Sequence, residues 1–158
     1  VSLNGRAKEG LIFYAAAYSL ATIGVFAVLI KMKDYTFEGF NGLGKREPVL
    51  AATNTVFLLS LAGIPATAGF MAKFYMLSAT IANGHVFWLV LLAIGCAAIS
   101  VYYYFRVIQA MYFKEGEEEH AIATTPVFKA LLVVVAVLLI VLGLFPQWLI
   151  DNLYNPGF

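Results

Sequence analysis

The chain has few charged residues and a single cysteine, and both shortages limit what it can be. Only 12% of its 158 residues are charged, whereas a soluble domain has about 25%. One cysteine, Cys96, excludes an internal disulfide and a metal site built from several cysteines, and we expect it to be a small buried packing residue. The net charge of +1 gives no indication of a nucleic-acid partner.

Motifs for common chemistry are also missing. The sequence contains no glycine-rich dinucleotide or phosphate loop, no CxxC pair, no nucleophile elbow and no His/Glu pair at helical spacing. His85 lies in a predicted turn and His120 in an acidic loop, and neither has a second ligand at metal spacing. We therefore expect no metal and no cofactor on this chain. The chemistry left to it is the movement of ions.

Apolar residues dominate what is present. The chain is 62% hydrophobic with a mean hydropathy of +0.86, which is typical of membrane proteins. The uncharged run from Leu11 to Ile30 is long enough to cross roughly 30 Å of hydrocarbon as a helix. The sequence predicts an all-α integral membrane fold with five transmembrane helices, two of them short. The expected helices are 10–31, 48–64, 66–83, 86–114 and 125–150, with an interfacial loop at 32–47, in one transmembrane region over 1–158.

One glycine and one proline separate the second and third predicted helices. Gly63, Ile64 and Pro65 fall in succession, and proline lacks a backbone donor and clashes with the preceding turn. We expect two short helices with a break or tight turn between them. Irregular backbone at membrane depth is tolerated only where protein or a water-filled cavity surrounds it. The sequence thus places an enclosed or hydrated site at this break.

Lys73 follows the break and is the only charge between Glu47 and Arg106. A lysine at the centre of a membrane helix costs about 2.5 to 3.5 kcal/mol on insertion scales, so such residues usually have a function. Burial disfavours the charged form of a lysine, and unlike arginine a lysine can then release and accept a proton. Lys73 is accordingly the candidate catalytic residue, a proton relay. The alternative is that its long stem only carries the ammonium to the headgroups.

Three further residues are secondary candidates. Tyr102, Tyr103 and Arg106 lie near the end of the fourth predicted helix. The tyrosine hydroxyls could join a hydrogen-bonded chain, although aromatic belts at the membrane interface are the commoner explanation. For Arg106, we favour an anchor at the interface with its stem covered by Tyr102 and Tyr103.

A resemblance to a known family rests on two stretches of this sequence. Ser60 to Tyr75 reads SLAGIPATAGFMAKFY, and Ser100 to Phe113 reads SVYYYFRVIQAMYF. Together they resemble the C-terminal part of the N subunit of proton-pumping NADH:quinone oxidoreductase, the antiporter-like membrane subunit of respiratory complex I. The connector before Gly63 and the closing helix are similar to the same subunit, so the resemblance covers nearly the whole chain.

The resemblance implies a role for this chain inside a larger assembly. A full N subunit has about fourteen transmembrane helices in two inverted repeats, each with an interrupted helix and a buried lysine. Lys73 falls on the lysine of the second repeat, and the chain, which starts at Val1, is expected to be a fragment. The expected partners are the lipid bilayer and other complex I subunits, which would hold the NADH, FMN, Fe-S and quinone sites, in a bacterial inner membrane.

Orientation and function each leave alternatives. With five crossings the basic residues are divided evenly between the two sides, so charge gives no orientation. The family's outward C-terminus implies that Arg6 and the Lys114 loop are inside and the 32–47 loop outside. Besides a proton-translocating subunit, two interpretations stay open: a subunit of a multisubunit Na+/H+ antiporter, and a non-conducting scaffold whose Lys73 pairs with a carboxylate of a neighbouring subunit.

Overall fold

The computed structural model describes residues 5–81, 87–116, 122 and 124–147. These residues form helices and no strands, so the prediction of an all-helical chain is confirmed. A single-turn 3-10 helix, Glu38–Phe40, precedes the second α-helix. The α-helices are α1 (Gly5–Lys31), α2 (Leu43–Arg46), α3 (Pro48–Ala62), α4 (Ala68–Ile81), α5 (Phe87–Phe113) and α6 (Pro126–Leu144).

Three of these helices are long and apolar enough to cross a membrane within the described residues. They are the Gly10–Lys31 part of α1, all of α5 and all of α6. α3 is apolar but shorter, and α4 has 14 residues. About 20 residues are needed to span the hydrocarbon core, so neither α3 nor α4 crosses it alone.

α3 and α4 run in the same direction along α1. Phe57 of α3 packs on Gly24, where an added Cβ would lie 2.6 Å from its ring. Tyr75 of α4 packs on Gly10, and its ring centroid lies 6.0 Å from that of Phe13. Gly24 and Gly10 are about 21 Å apart along a helix that rises 1.5 Å per residue. The chain therefore continues towards the N-terminus of α1 as it passes from α3 to α4.

In this arrangement the chain does not reverse its direction at the break, as two separate crossings by α3 and α4 would require. A tight turn that reversed the chain after Ala62 would bring Tyr75 back towards the C-terminal half of α1, whereas it packs beside Gly10. The sequence predicts where α3 ends, but it does not predict the direction in which the chain continues into α4.

The loop between α1 and α3, residues 32–47, is here called the connector. At its end Glu47 forms an ion pair with Lys129 at the start of α6, with 2.6 Å between Nζ and Oε2. The Lys31 ammonium lies 5.1 Å from the ring centroid of Phe128. The Gly42 N–H donates to the Ala110 carbonyl near the end of α5, at 3.1 Å. The end of α1, the start of α3, the end of α5 and the start of α6 therefore lie on one side, the connector side.

Two apolar clusters hold the helices together. The first joins α1, α3, α4 and α6 around Phe13, Phe57 and Leu139. The second joins the connector, α3 and the end of α5 around Leu43, Leu58 and Met111. α6 begins at Pro126, and Thr125 caps it by accepting a hydrogen bond from the Phe128 N–H at 3.3 Å. A proline in the first helical turn loses no hydrogen bond.

Most of α5 is exposed within the described chain. Cys96 is therefore not the buried packing residue that the sequence predicted. In its apolar window only 6% of the residues are buried within the described chain. Cys96 is exposed, and nothing lies within 4 Å of a Cβ added to Gly95. A small residue in an apolar run was predicted to be packed, but apolarity alone does not distinguish a residue facing a helix from one facing outward.

Candidate functional site

The end of α3 forms a regular helix stop. Gly63 has a φ of 81°, the left-handed conformation that glycine adopts without a steric penalty. Its N–H donates to the Ser60 carbonyl and the Ile64 N–H donates to the Leu59 carbonyl, both at 3.0 Å. This pair of bonds is a Schellman motif. It provides partners for two of the four carbonyls that a helix leaves unpaired at its C-terminus.

Lys73 provides partners for the other two carbonyls. Its Nζ donates to the Leu61 carbonyl at 2.8 Å and to the Ala62 carbonyl at 2.9 Å. The side chain reaches back from α4 to the end of α3, as helical side chains lean towards the N-terminus of their own helix. A positive charge here also lies at the negative end of the α3 dipole. The last turn of α3 is a binding site for the ammonium group.

The magnitudes of these interactions explain how a charge is kept in an apolar helix. A lysine at the membrane centre costs about 2.5 to 3.5 kcal/mol. A hydrogen bond to a charged group contributes about 1.5 to 3 kcal/mol, and Lys73 makes two. The two bonds together offset the insertion cost. Within the part of the chain that the structure describes, Lys73 forms no ion pair with a carboxylate. The ion pair among these residues joins Lys129 and Glu47, away from Lys73.

Close packing around the break requires small residues. The Gly69 N–H donates to the Ser60 hydroxyl at 3.1 Å. A Cβ on Gly69 would collide with the Ser60 carbonyl, and a Cβ on Gly143 of α6 would collide with the backbone of Thr67. The start of α4 thus packs directly against the end of α3, and α6 packs directly against the backbone of the break. Ala66, within the break, has a φ of 74°, a left-handed conformation that residues other than glycine adopt only with strain.

The secondary candidates lie apart from Lys73. Tyr102 and Tyr103 are 62% and 51% exposed, and their rings contact each other with centroids 5.5 Å apart. The Arg106 guanidinium lies 4.5 Å from the ring centroid of Phe37 in the connector, a cation–π contact that the sequence did not predict. No hydrogen bond or ring contact among the described residues joins these three to Lys73.

Sequence reasoning missed Asn54 and Ser60. Asn54 is 1% exposed and contacts Met111 of the second cluster, and Ser60 is 2% exposed beside the break. The signal available was a lone amide or hydroxyl inside an otherwise apolar helix. Among the described residues no group of His, Cys, Asp and Glu could hold a metal ion. His85 and His120 lie outside the described residues.

Comparison with a family model places most of the chain in one group of membrane proteins. The model described as "NADH:quinone oxidoreductase/Mrp antiporter, TM" matches residues 2–100. The matched region includes α1, the connector, both helices around the break and Lys73.

Individual relatives carry a more specific name. A protein called NADH-quinone oxidoreductase subunit N from Trichlorobacter lovleyi is 43% identical over 150 residues, which cover 90% of this chain and 30% of that protein. One of the same name from Flavobacterium psychrophilum is 43% identical over 152 residues, covering 92% of this chain and 32% of that protein. The chain spans about a third of the length of these relatives.

A solved structure has the same fold. It is a chain of respiratory complex I from Thermus thermophilus with bound aureothin, similar with a TM-score of 0.82 and 33% sequence identity. The similarity covers 90% of this chain and 33% of that one.

Proposed function

The chain belongs to the NADH:quinone oxidoreductase/Mrp antiporter family, and on this premise we propose that it is part of a proton-translocating membrane subunit of NADH:quinone oxidoreductase. Its apolar helices and its family make it an integral membrane protein. In the proposal Lys73 is the proton relay of this part. Redox energy comes from elsewhere, and NADH, FMN, Fe-S clusters and quinone bind to partner subunits in a bacterial inner membrane.

One observation supports the relay more than any other: the Lys73 ammonium bonds to the two unpaired carbonyls at the end of α3. The group lies at a backbone break, where water can reach irregular structure inside a membrane protein. A lysine can give up its proton there and later regain it, whereas an arginine cannot. Carbonyl oxygens stabilise the charged form without supplying a competing acid.

In this proposal α3 and α4 together form one interrupted crossing, so the chain crosses the membrane four times. An outward C-terminus, as the family resemblance implies, then puts the connector side in the cytoplasm. Basic residues agree with this orientation, because cytoplasmic loops are enriched in lysine and arginine. The ones on the connector side are Lys31, Lys33, Lys45, Arg46, Arg106, Lys114 and Lys129. The earlier expectation of an outward-facing connector depended on five crossings.

A sodium/proton antiporter subunit is the second candidate, because the matching family includes Mrp antiporters. The relatives named above are oxidoreductase subunits, which favours the first proposal. The two differ in energy source: an antiporter subunit moves protons in response to a sodium gradient, without quinone reduction. A scaffold is less well supported, since the Lys73 ammonium already has two backbone carbonyls of its own chain as partners.

The test is a Lys73→Ala substitution in the full-length subunit, assembled in its complex in membrane vesicles. We expect normal assembly, with proton translocation coupled to quinone reduction largely lost. The matched control is Lys33→Ala, which removes a lysine exposed in the connector and should leave translocation unchanged. Normal pumping by the assembled Lys73→Ala complex would disprove the relay.

A further inference from the structure

Three of the four buried side-chain polar atoms that lack a partner among the described residues lie towards the connector side. They are Asn41 Oδ1, Arg46 Nε and Asn54 Oδ1; the fourth is Thr22 Oγ1. Buried polar groups in proteins nearly always have a hydrogen-bond partner, often an ordered water. Several such atoms in one region are therefore places where water can bind.

The contacts of these residues bring them to one place. Arg46 Nη2 donates to the Asn41 carbonyl at 2.7 Å, and the next residue, Gly42, donates to the Ala110 carbonyl at 3.1 Å. Asn54 Nδ2 lies 3.5 Å from Met111 Sδ, a weak hydrogen bond. Ala110 and Met111 are consecutive in α5. The connector and Asn54 thus meet on the same turn of α5.

Asn54 lies on the face of α3 that also carries Leu61 near the C-terminal end of the helix. Leu61, whose carbonyl accepts from Lys73, lies seven residues further on and on the same face of α3. Seven residues correspond to about 10 Å of rise, a distance that a few waters at hydrogen-bond spacing can bridge. Leu58, which is 3% exposed, lies between them and is the apolar residue that such a file must pass.

We propose that Asn54 holds buried water between α3 and α5 and forms, with the connector polar groups, the entry half of the proton path to Lys73. This rests on the proposed function. Asn54 is a positioning residue in this path, because its amide orients water and does not itself change protonation state. The weak bond to Met111 leaves its carbonyl oxygen free to accept from a water.

The first test detects the water without measuring activity. Radiolytic hydroxyl-radical footprinting of the intact complex oxidises methionines that lie beside bound water. Met111 is fully buried, yet we expect it to be oxidised in the wild type and several-fold less in Asn54→Leu. Met32, a buried member of the same cluster, is the internal reference and should not change. Equal oxidation of Met111 in both proteins would overturn the proposal.

The second test places the water on the path. Loss of one hydrogen bond along the path should slow proton translocation by Asn54→Leu about tenfold. Asn54→Ser retains a hydroxyl and should keep most of the rate, and it also guards against a folding defect in the leucine variant. Thr53→Val is the matched control, because the buried Thr53 hydroxyl bonds to the Val49 carbonyl of its own helix at 2.9 Å.

The outcomes separate this proposal from the one it rests on. Wild-type translocation by assembled Asn54→Leu, with Lys73→Ala inactive, would overturn the role of Asn54 and leave the relay intact. Normal translocation by Lys73→Ala would disprove the relay, and with it the path, whatever the footprint of Met111 shows.

Discussion

The side chain of Lys73 lies against Gly63 so closely that a Cβ on Gly63 would come within 2.9 Å of the lysine Cδ and 3.1 Å of its Nζ. Gly63 thus has two functions at the break. Its left-handed conformation ends α3, and its missing side chain leaves space for the lysine to reach the carbonyls of Leu61 and Ala62.

Replacement of Gly63 by alanine should disturb both functions. The left-handed conformation costs an L-residue about 1 to 2 kcal/mol, and the added methyl group must displace the Lys73 stem. We expect assembled Gly63→Ala complexes to translocate protons several-fold more slowly, measured by acidification or alkalinisation of the vesicle lumen. Gly95→Ala is the control, because nothing lies within 4 Å of its Cβ. Equal rates for the two variants would show that the lysine does not depend on this space.

Charge and proton release at Lys73 can be separated by two substitutions. Lys73→Arg keeps a cation and donors for the carbonyls of Leu61 and Ala62 but cannot release its proton. Lys73→Met leaves both carbonyls without a partner, at about 1 to 3 kcal/mol for each buried group. We expect the arginine variant to retain most of its thermal stability and lose translocation, and the methionine variant to lose both.

Thermal unfolding of the purified complex and translocation in vesicles are the measurements. Equal melting temperatures for the methionine variant and the wild type would contradict the capping role. Proton translocation by the arginine variant at the wild-type rate would contradict the requirement for proton release.

Single cysteines can test the orientation of the chain. In a Cys96→Ala background, Lys33→Cys and Lys114→Cys should both react with an impermeant thiol reagent from the cytoplasmic side, and Ile81→Cys from the opposite side. Inverted vesicles expose the cytoplasmic side to the reagent and right-side-out vesicles expose the opposite side. Labelling of positions 33 and 114 from opposite sides would contradict the shared direction of α3 and α4.

Composition and local signals predicted the helical membrane class, because apolar length and the absence of charge depend only on consecutive residues. The direction of α4 depended on long-range packing of Tyr75 against Gly10 and Phe13, which no local pattern contains. In the proposed four-crossing arrangement, this direction also changes the side of the membrane on which the connector lies.

At the candidate site, too, the sequence predicted one residue but not the contacts that this residue makes. Lys73 stood out as a charge in an apolar run, so its position needed only the sequence. Its partners are backbone carbonyls, which every residue has, and therefore no side-chain pattern could identify Leu61 and Ala62. The contact of Arg106 with Phe37 joins residues that are far apart in the sequence and was likewise not predictable.

The pairing of Lys73 with peptide oxygens has a consequence for timing. A carboxylate partner could be neutralised by a second proton, which would release the lysine on demand. A peptide carbonyl keeps the same partial charge at every physiological pH, so the hold on the ammonium is constant. In the proposed relay, the trigger for deprotonation of Lys73 is therefore expected to be a change in the surrounding electric field or in the geometry of the break, caused from outside α3 and α4.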